Sequence, residues 1–291
     1  MRLQSISIVI PTYNSMLLLK ETLDSLLLQT LNRERFEVIV VDDGSSDGTK
    51  QIVDQFRKLL DISYYYIEDK GFRVSSGRNL GLHFAKYPIT LFLDSGMIAN
   101  KEMLFSHLNE HLFNNKKVAI GMSYGVEEFS LVNAQALNNI LLSNGLNESF
   151  NKLKDIPKLY DCRYSTVQSI GFDLSVSSAP WVICWGGNVS ARTSFLRQVG
   201  GFDEWFNSWG GEDVDLGIRL FKNHGQFVVL KEQCAIHKPH PKFEEKNKIT
   251  SRKNIDYIVR KYTDPMVSLL TCHDWKSIIE LSVEREILVS C

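Results

Sequence analysis

Along the first hundred residues, apolar runs of two kinds take turns. Ser5 to Ile10 is short, β-branched and stopped by Pro11, the pattern of a strand buried on both faces. Asn14 to Gln29 instead carries Leu17, Leu18, Leu19, Leu23, Leu26, Leu27 and Leu28 at helical spacing, with Asn14 or Ser15 suited to cap its start. The alternation continues with a strand over Phe36 to Val41, a helix over Ser46 to Leu60 and a strand over Ile62 to Ile67. A helix over Ser75 to Lys86 and a strand over Ile89 to Leu93 follow. This order predicts βαβ units, hence an α/β fold with a mostly parallel central sheet flanked by helices. Ligands of such sheets sit beyond the carboxyl ends of the strands. The segments to read for chemistry are therefore Pro11-Thr12-Tyr13-Asn14, Asp42-Asp43-Gly44-Ser45, Glu68-Asp69-Lys70-Gly71 and Asp94-Ser95-Gly96.

Past residue 125 the periodic signal weakens. Residues 126–178 read as an insertion or lid-like region with one helix near Asn133 to Leu142. From Pro180 the pattern sharpens, with Trp181, Trp185, Trp205 and Trp209 each near glycine or proline. A helix is expected through Leu216, Ile218, Leu220 and Phe221, then a strand-like run from Gln226 to Ile236. The last fifty residues read as helical and basic; between Lys231 and Lys261 nine Lys or Arg face four Asp or Glu.

Composition narrows the classes of function. Lys and Arg total 33 and Asp and Glu 34, so the chain has no global field for nucleic acid. The five cysteines are scattered and never form a CxxC pair, which argues against a disulfide framework or zinc site and for a reducing, cytoplasmic setting. Ile6 to Ile10 is too short for a signal-peptide core, and no run approaches the ~20 apolar residues of a membrane span. Peripheral contact through the basic C-terminal segment stays open.

Four constellations carry chemistry. Asp43, just after a buried strand, can accept from a base N–H or a ribose hydroxyl; Asp and Gly are also ordinary turn formers. Neither GxGxxG nor GxxxxGK[ST] is present, so a dinucleotide fold and a P-loop are unsupported. Asp94 ends a strand where an Asp-x-Asp pair would hold Mn²⁺ or Mg²⁺ against a diphosphate, but Gly96 stands at the second acidic position. Arg73 and Arg78 flank a helix start, where a guanidinium suits a diphosphate. In Trp209-Gly210-Gly211-Glu212-Asp213, two glycines before an acid pair allow close backbone approach to a ligand. Asp213 then suits a general base beside a sugar-binding aromatic, while acids in a first helical turn also complement the helix dipole. His237 and His240, three apart around Pro239, are candidate metal ligands that need not point the same way.

Together, IVIPTYN, VVDDGSSDGT, GRN and FLDSG in that order resemble the family 2 glycosyltransferases of the GT-A fold. WGGNVSARTSFLRQVGGFDEWFNSWGGEDVDLGIRL is similar to the C-terminal segment of β-1,4-galactosyltransferases and bacterial chondroitin-type polymerases. The resemblance covers about Ile6 to His240. It implies a donor-binding half over 1–125, an acceptor-binding and catalytic half over 179–245, and a basic helical extension over 246–291. Pro11, Tyr13 and Asp43 would border the nucleobase and ribose, and Arg78 would face the donor. Asp94 and His237 would hold a divalent cation, and Arg78 with Lys70 would meet the leaving-group charge without one. Trp185, Gly187, Asn188, Trp209, Gly210 and Gly211 would line the acceptor. Asp213 would be the base and Glu212 its acceptor-binding neighbour.

The expected activity is an inverting, single transfer from a nucleoside diphosphate sugar, a UDP-sugar first. The acceptor would be a hydroxyl or thiol on a glycan, peptide or small metabolite. The Gln-x-x-Arg-Trp motif of processive synthases is absent. Two other classes compete: a nucleotide-sugar-binding protein without turnover, and a sugar nucleotidyltransferase. The second would want a Gly-rich basic loop after the first strand, which PTYNS is not.

Overall fold

The computed structural model describes residues 4–125, 131–240 and 244–289. The chain runs β1 (Ile6–Thr12), α1 (Met16–Leu26), β2 (Phe36–Asp42), α2 (Thr49–Phe56), β3 (Ile62–Tyr66), α3 (Val74–Phe84), β4 (Ile89–Leu93), β5 (Met97–Ala99), α4 (Met103–Glu110) and β6 (Lys117–Tyr124). It continues through α5 (Leu131–Ser143), α6 (Leu146–Leu153), α7 (Tyr164–Ser169), β7 (Asn188–Arg192), α8 (Thr193–Gln198), α9 (Glu212–Lys222) and β8 (Gln226–His237). It ends in α10 (Glu244–Lys261), α11 (Pro265–Ser268) and α12 (Trp275–Val289). The expected strand–helix alternation of the first ninety-odd residues is present, with helices a few residues shorter at their ends.

Among the described residues one eight-stranded sheet has the order β3-β2-β1-β4-β7-β6-β8-β5. The first four strands are parallel, as expected. The second half is mixed: β7 is antiparallel to both β4 and β6, β6 and β8 are parallel, and β5 is antiparallel to β8. The fold is α/β, with a parallel first half and a mixed second half of the sheet.

Strand periodicity sorts the core into two faces. Ile6, Ile8 and Ile10 of β1, with Val38 and Val40 of β2, pack beside Leu19, Leu23 and Leu26 of α1. Val9, Ile39, Val41 and Phe92 point to the other face, which holds Leu82 of α3 and the later helices. A one-residue slip would exchange these sets. Gly81 lets α3 approach β1, since a Cβ there would stand 2.2 Å from Val9 Cγ1. Close seating of α3 places Arg78 under the carboxyl ends of the strands.

Residues described within 126–178 form packed helices. Leu137, Phe150, Leu153 and Leu159 join Ile98, Tyr124 and Ile236 in a third apolar cluster against β5, β6 and β8. The helix expected near Asn133 to Leu142 is α5. No helix among the described residues is long and apolar enough to cross a membrane.

Candidate active site

The site forms where the carboxyl ends of β1, β2 and β4 meet the start of α9, and Arg78 is its centre. The side chain is 3% exposed, and burial works against its charge, but Asp94 and Glu212 outweigh that and raise its pKa. Nη1 donates to Glu212 Oε1 at 3.0 Å and Nη2 donates to Asp94 Oδ1 at 2.9 Å. The guanidinium also lies 5.1 Å from the centroid of the Phe202 ring. The arginine expected to face a donor is thus a buried strut that joins α3 and the end of β4 to the acid pair.

Gly186 and Gly187 make room for this strut. A Cβ at Gly186 would stand 2.9 Å from Arg78 Cζ, and one at Gly187 3.0 Å from Asp94 Oδ2. The Gly186 N–H donates to Asp213 Oδ2 at 3.1 Å, and the Val214 N–H donates to Oδ1 at 2.8 Å. Glu212 and Asp213 open α9 directly after Gly210 and Gly211, whose φ angles of 94° and 97° favour glycine. Burial pushes the Glu212 carboxyl up to about 7; the Asp213 charge adds to this and Arg78 opposes it. Burial also raises Asp213, against the pull of Arg78 and the two N–H donors. Burial thus raises both carboxyls of the acid pair, and the Arg78 charge offsets part of that cost.

A second corner lies beyond β1, β2 and β3. Asp43 accepts from the Arg73 backbone N–H at 2.9 Å and from Arg73 Nη2 at 2.7 Å. Arg73 Nη2 also donates to the Glu68 carbonyl. Burial raises Asp43 while Arg73 opposes it. The exposed Tyr13 hydroxyl donates to Asp69 Oδ2 at 3.0 Å, and the Pro11 carbonyl accepts from Ser95 Oγ at 3.1 Å. The corner thus draws on all four segments that the strand pattern marks. Lys70 is exposed and ion-paired with Glu68 at 3.4 Å.

Gly96 explains its own departure from an acidic pair. Its φ is 93°, its N–H donates to Thr22 Oγ1 at 2.9 Å, and a Cβ would meet Leu18 at 3.4 Å. It makes the turn that sends β4 into β5. β5 pairs with β8 so that Met97 faces His237, and the Lys238 N–H donates to the Gly96 carbonyl at 2.9 Å. Asp94 and His237 therefore end neighbouring segments, with the His240 ring 5.4 Å from that of His237. Among the described residues no three His, Cys, Asp or Glu side chains converge as a metal group would need.

The expected acceptor residues divide. Trp209, with Gly210 and Gly211, borders the acid pair and is half exposed. Trp185 donates from Nε1 to the Val182 carbonyl at 3.1 Å and lies under the Arg163 guanidinium, 4.5 Å away. Asn188 turns inward and is 3% exposed. Its Oδ1 is 2.9 Å from His107 Nε2, and its Nδ2 donates to Cys234 Sγ at 3.2 Å. His107 is lowered to about 4 by burial, so this network is neutral and structural. Of the other tryptophans, Trp181 is core, and Trp205 stacks on Tyr257 with centroids 3.7 Å apart.

Three contributors carried no sequence signal. The Arg163–Asp161 pair, 2.7 Å between Nη2 and Oδ2, is buried under Trp185. Asp215 is fully buried and accepts from Arg219, Lys261 and Tyr262. Asn254 of α10 binds the Trp-Gly-Gly loop. Asp161 and Arg163 are near neighbours in the chain, whereas the Asp215 and Asn254 contacts join distant segments.

Comparison with known proteins gives a consistent picture. Residues 7–170 match the family model described as glycosyl transferase family 2, and residues 169–242 match one described as N-terminal domain of galactosyltransferase. The chain is 38% identical over 258 residues to validoxylamine A glucosyltransferase of Streptomyces hygroscopicus subsp. jinggangensis (strain 5008), covering 88% of this chain and 61% of that one. It is 34% identical over 269 residues to chondroitin synthase of Pasteurella multocida (strain Pm70), covering 90% of this chain and 28% of that one. The chain thus spans less than two thirds of these relatives. The crystal structure of S. aureus TarS 1-349 in complex with UDP-GlcNAc is similar over 92% of this chain and 70% of that one, with a TM-score of 0.59 at 21% identity. At that identity the likeness is one of fold.

Proposed function

From a chain that belongs to glycosyl transferase family 2, and folds as its GT-A members do, we propose an inverting transfer of one sugar from a nucleoside diphosphate sugar to an acceptor hydroxyl. The observation that carries this reading is the Arg78 strut. It holds Glu212, from the start of α9, and Asp94, from the end of β4, on one buried guanidinium. The acid pair thereby faces the place where a donor lies beyond the strand ends.

In this reading Asp213 accepts the proton of the acceptor hydroxyl as its oxygen attacks the anomeric carbon. The bond from that carbon to the diphosphate breaks, and the nucleoside diphosphate leaves with the electron pair. Gly186 and Val214 hold the two Asp213 oxygens, so the base has one orientation. Among the described residues nothing donates to the buried Glu212 Oε2, which supports a role for it toward an acceptor hydroxyl. Asp43 and Tyr13 border the base and ribose. The UDP preference rests on the TarS complex, a protein of the same fold.

A divalent ion would find two protein donors here, an Asp94 oxygen and a His237 nitrogen. It would take its remaining ligands from the diphosphate and water. When bound, such an ion supplies positive charge to the leaving group. The acceptor is a glycan, peptide or small metabolite, among which the sequence does not choose, and the missing Gln-x-x-Arg-Trp motif supports single addition.

The test is release of UDP from UDP-glucose, UDP-galactose, UDP-N-acetylglucosamine and UDP-glucuronate, with water and with a panel of hydroxyl acceptors. The expected result is release from one donor, inverted stereochemistry in the product, and loss of turnover in D213N. Failure with every donor, combined with no UDP binding, would overturn the reading.

A further inference from the structure

The C-terminal helix α10 reads from sequence as a basic appendage. Its middle is nevertheless buried against the loop that precedes the acid pair. Asn254 is 1% exposed. Its side-chain Nδ2 donates to the Gly210 carbonyl at 2.7 Å and reaches those of Ser208 and Trp209 at 3.3 Å each. Its Oδ1 accepts from Ser208 Oγ at 3.3 Å. One amide carries two N–H bonds, so the three carbonyls share them, and the short bond to Gly210 dominates.

Convergence of these carbonyls depends on the left-handed backbone of Gly210 and Gly211. That conformation needs an outside partner, because it turns carbonyls inward that no strand or helix satisfies. The same face of α10 also supports the next residue. A Cβ on Gly211 would stand 3.2 Å from Ile258 Cδ1. On the far side of the acid pair, buried Asp215 accepts from Lys261 Nζ and the Tyr262 hydroxyl, each at 2.7 Å. Residues 208–215 are therefore tied to α10 and the residue that follows it on both sides of Glu212 and Asp213.

We propose that Asn254 is a positioning residue for sugar transfer: it holds the Trp209-Gly210-Gly211 loop, and so sets where Asp213 stands relative to the acceptor oxygen. This rests on the reading of Asp213 as the base. Displacement of a reacting group by about 1 Å can cost on the order of 100-fold in rate. The nucleotide corner at Asp43 and Tyr13 is built from other loops and does not depend on α10.

The experiment compares the parent with N254A, N254D, D213N and R260A, using the UDP-sugar that the parent turns over. R260A is a control at an exposed position of the same helix. For each protein kcat and KM for the donor are measured, with the thermal shift produced by UDP as a separate report on donor binding. N254A is expected to lose 10-fold or more in kcat, with donor KM within about 3-fold of the parent and the UDP shift retained. N254D has the same size but turns an oxygen on the carbonyls, so it should lose at least as much. R260A should match the parent. If N254A does not fold, N254Q keeps the amide donors on a side chain one methylene longer and should show a smaller loss of the same kind.

Parental kcat in folded N254A, with D213N inactive, would overturn this proposal alone. So would a loss of kcat in N254A no larger than its loss of UDP-binding protein. Parental turnover in D213N, or no turnover by the parent on any donor, would overturn the assignment of the base and this proposal with it.

Discussion

Consider Arg78→Met, which keeps the length of the side chain and removes its charge and donors. Two bonds are lost, but their costs differ. The Asp94 side chain is 41% exposed, so water can replace the guanidinium there and its share is about 1 kcal/mol or less. Glu212 is 7% exposed, and removing the partner of a buried charge costs about 3–5 kcal/mol. Glu212 can soften that cost by taking up a proton. Burial and Asp213 already raise its pKa to about 7 against the pull of Arg78, so without Arg78 it rises further.

The sign follows from linkage. An acid raised in the folded state contributes stability below its unfolded pKa and loses it as pH rises through the folded value. The parent reaches that point near pH 7 and the variant later. Parent and variant therefore differ least near pH 5 to 6, where both carry a neutral Glu212. Above pH 7 the gap widens by about 1.4 kcal/mol per unit until Glu212 of the variant ionises. Urea denaturation at pH 5.5, 7 and 8.5, with m-values checked for constancy, measures this directly. A gap independent of pH, or a variant as stable as the parent at pH 8.5, would refute the role of Arg78 as the cation that holds Glu212.

Other expectations are as direct. D213N should lose about 10²- to 10⁴-fold in kcat while its UDP-induced thermal shift stays near that of the parent. G186A places a methyl 2.9 Å from a guanidinium that two carboxylates hold in place, so it should lower stability by about 1–3 kcal/mol and reduce turnover. Asp94 and His237 supply only two donors, so Mn²⁺ alone should leave the melting temperature unchanged. Mn²⁺ with UDP should shift it more than UDP with EDTA, and H237A should erase that difference; a shift with Mn²⁺ alone would count against the two-donor site.

Much of this molecule is legible along the chain, and the reason is locality. The β-branched runs at Ser5 to Ile10, Phe36 to Val41 and Ile89 to Leu93 are buried on both faces, so each one announces itself without reference to its neighbours. Their order places Asp43, Asp94 and the start of α3 at one edge of the sheet. The Trp-Gly-Gly-Glu-Asp run marks itself too, because its glycines and acids are adjacent. Local pattern did not reveal β5, β6 and β7. β5 has three residues, and β6 and β7 join through antiparallel pairing that brings residues about seventy apart together.

Tertiary structure alone decided what the marked residues do. Arg78 and Glu212 are 134 positions apart, and only the seating of α3 beneath the strands, with α9 beside them, makes them a pair. The resemblance assigns both Asn188 and Trp209 to the acceptor, yet one is spent inside the sheet with His107 and the other borders the acid pair. Asn254 is one asparagine in a basic helix until the fold carries it to three carbonyls of a distant loop. Sequence determines which elements form, because propensity and burial pattern are short-ranged. Which charges share a buried guanidinium, and which amide satisfies a strained loop, depends on packing between distant segments, where desolvation makes each such contact matter.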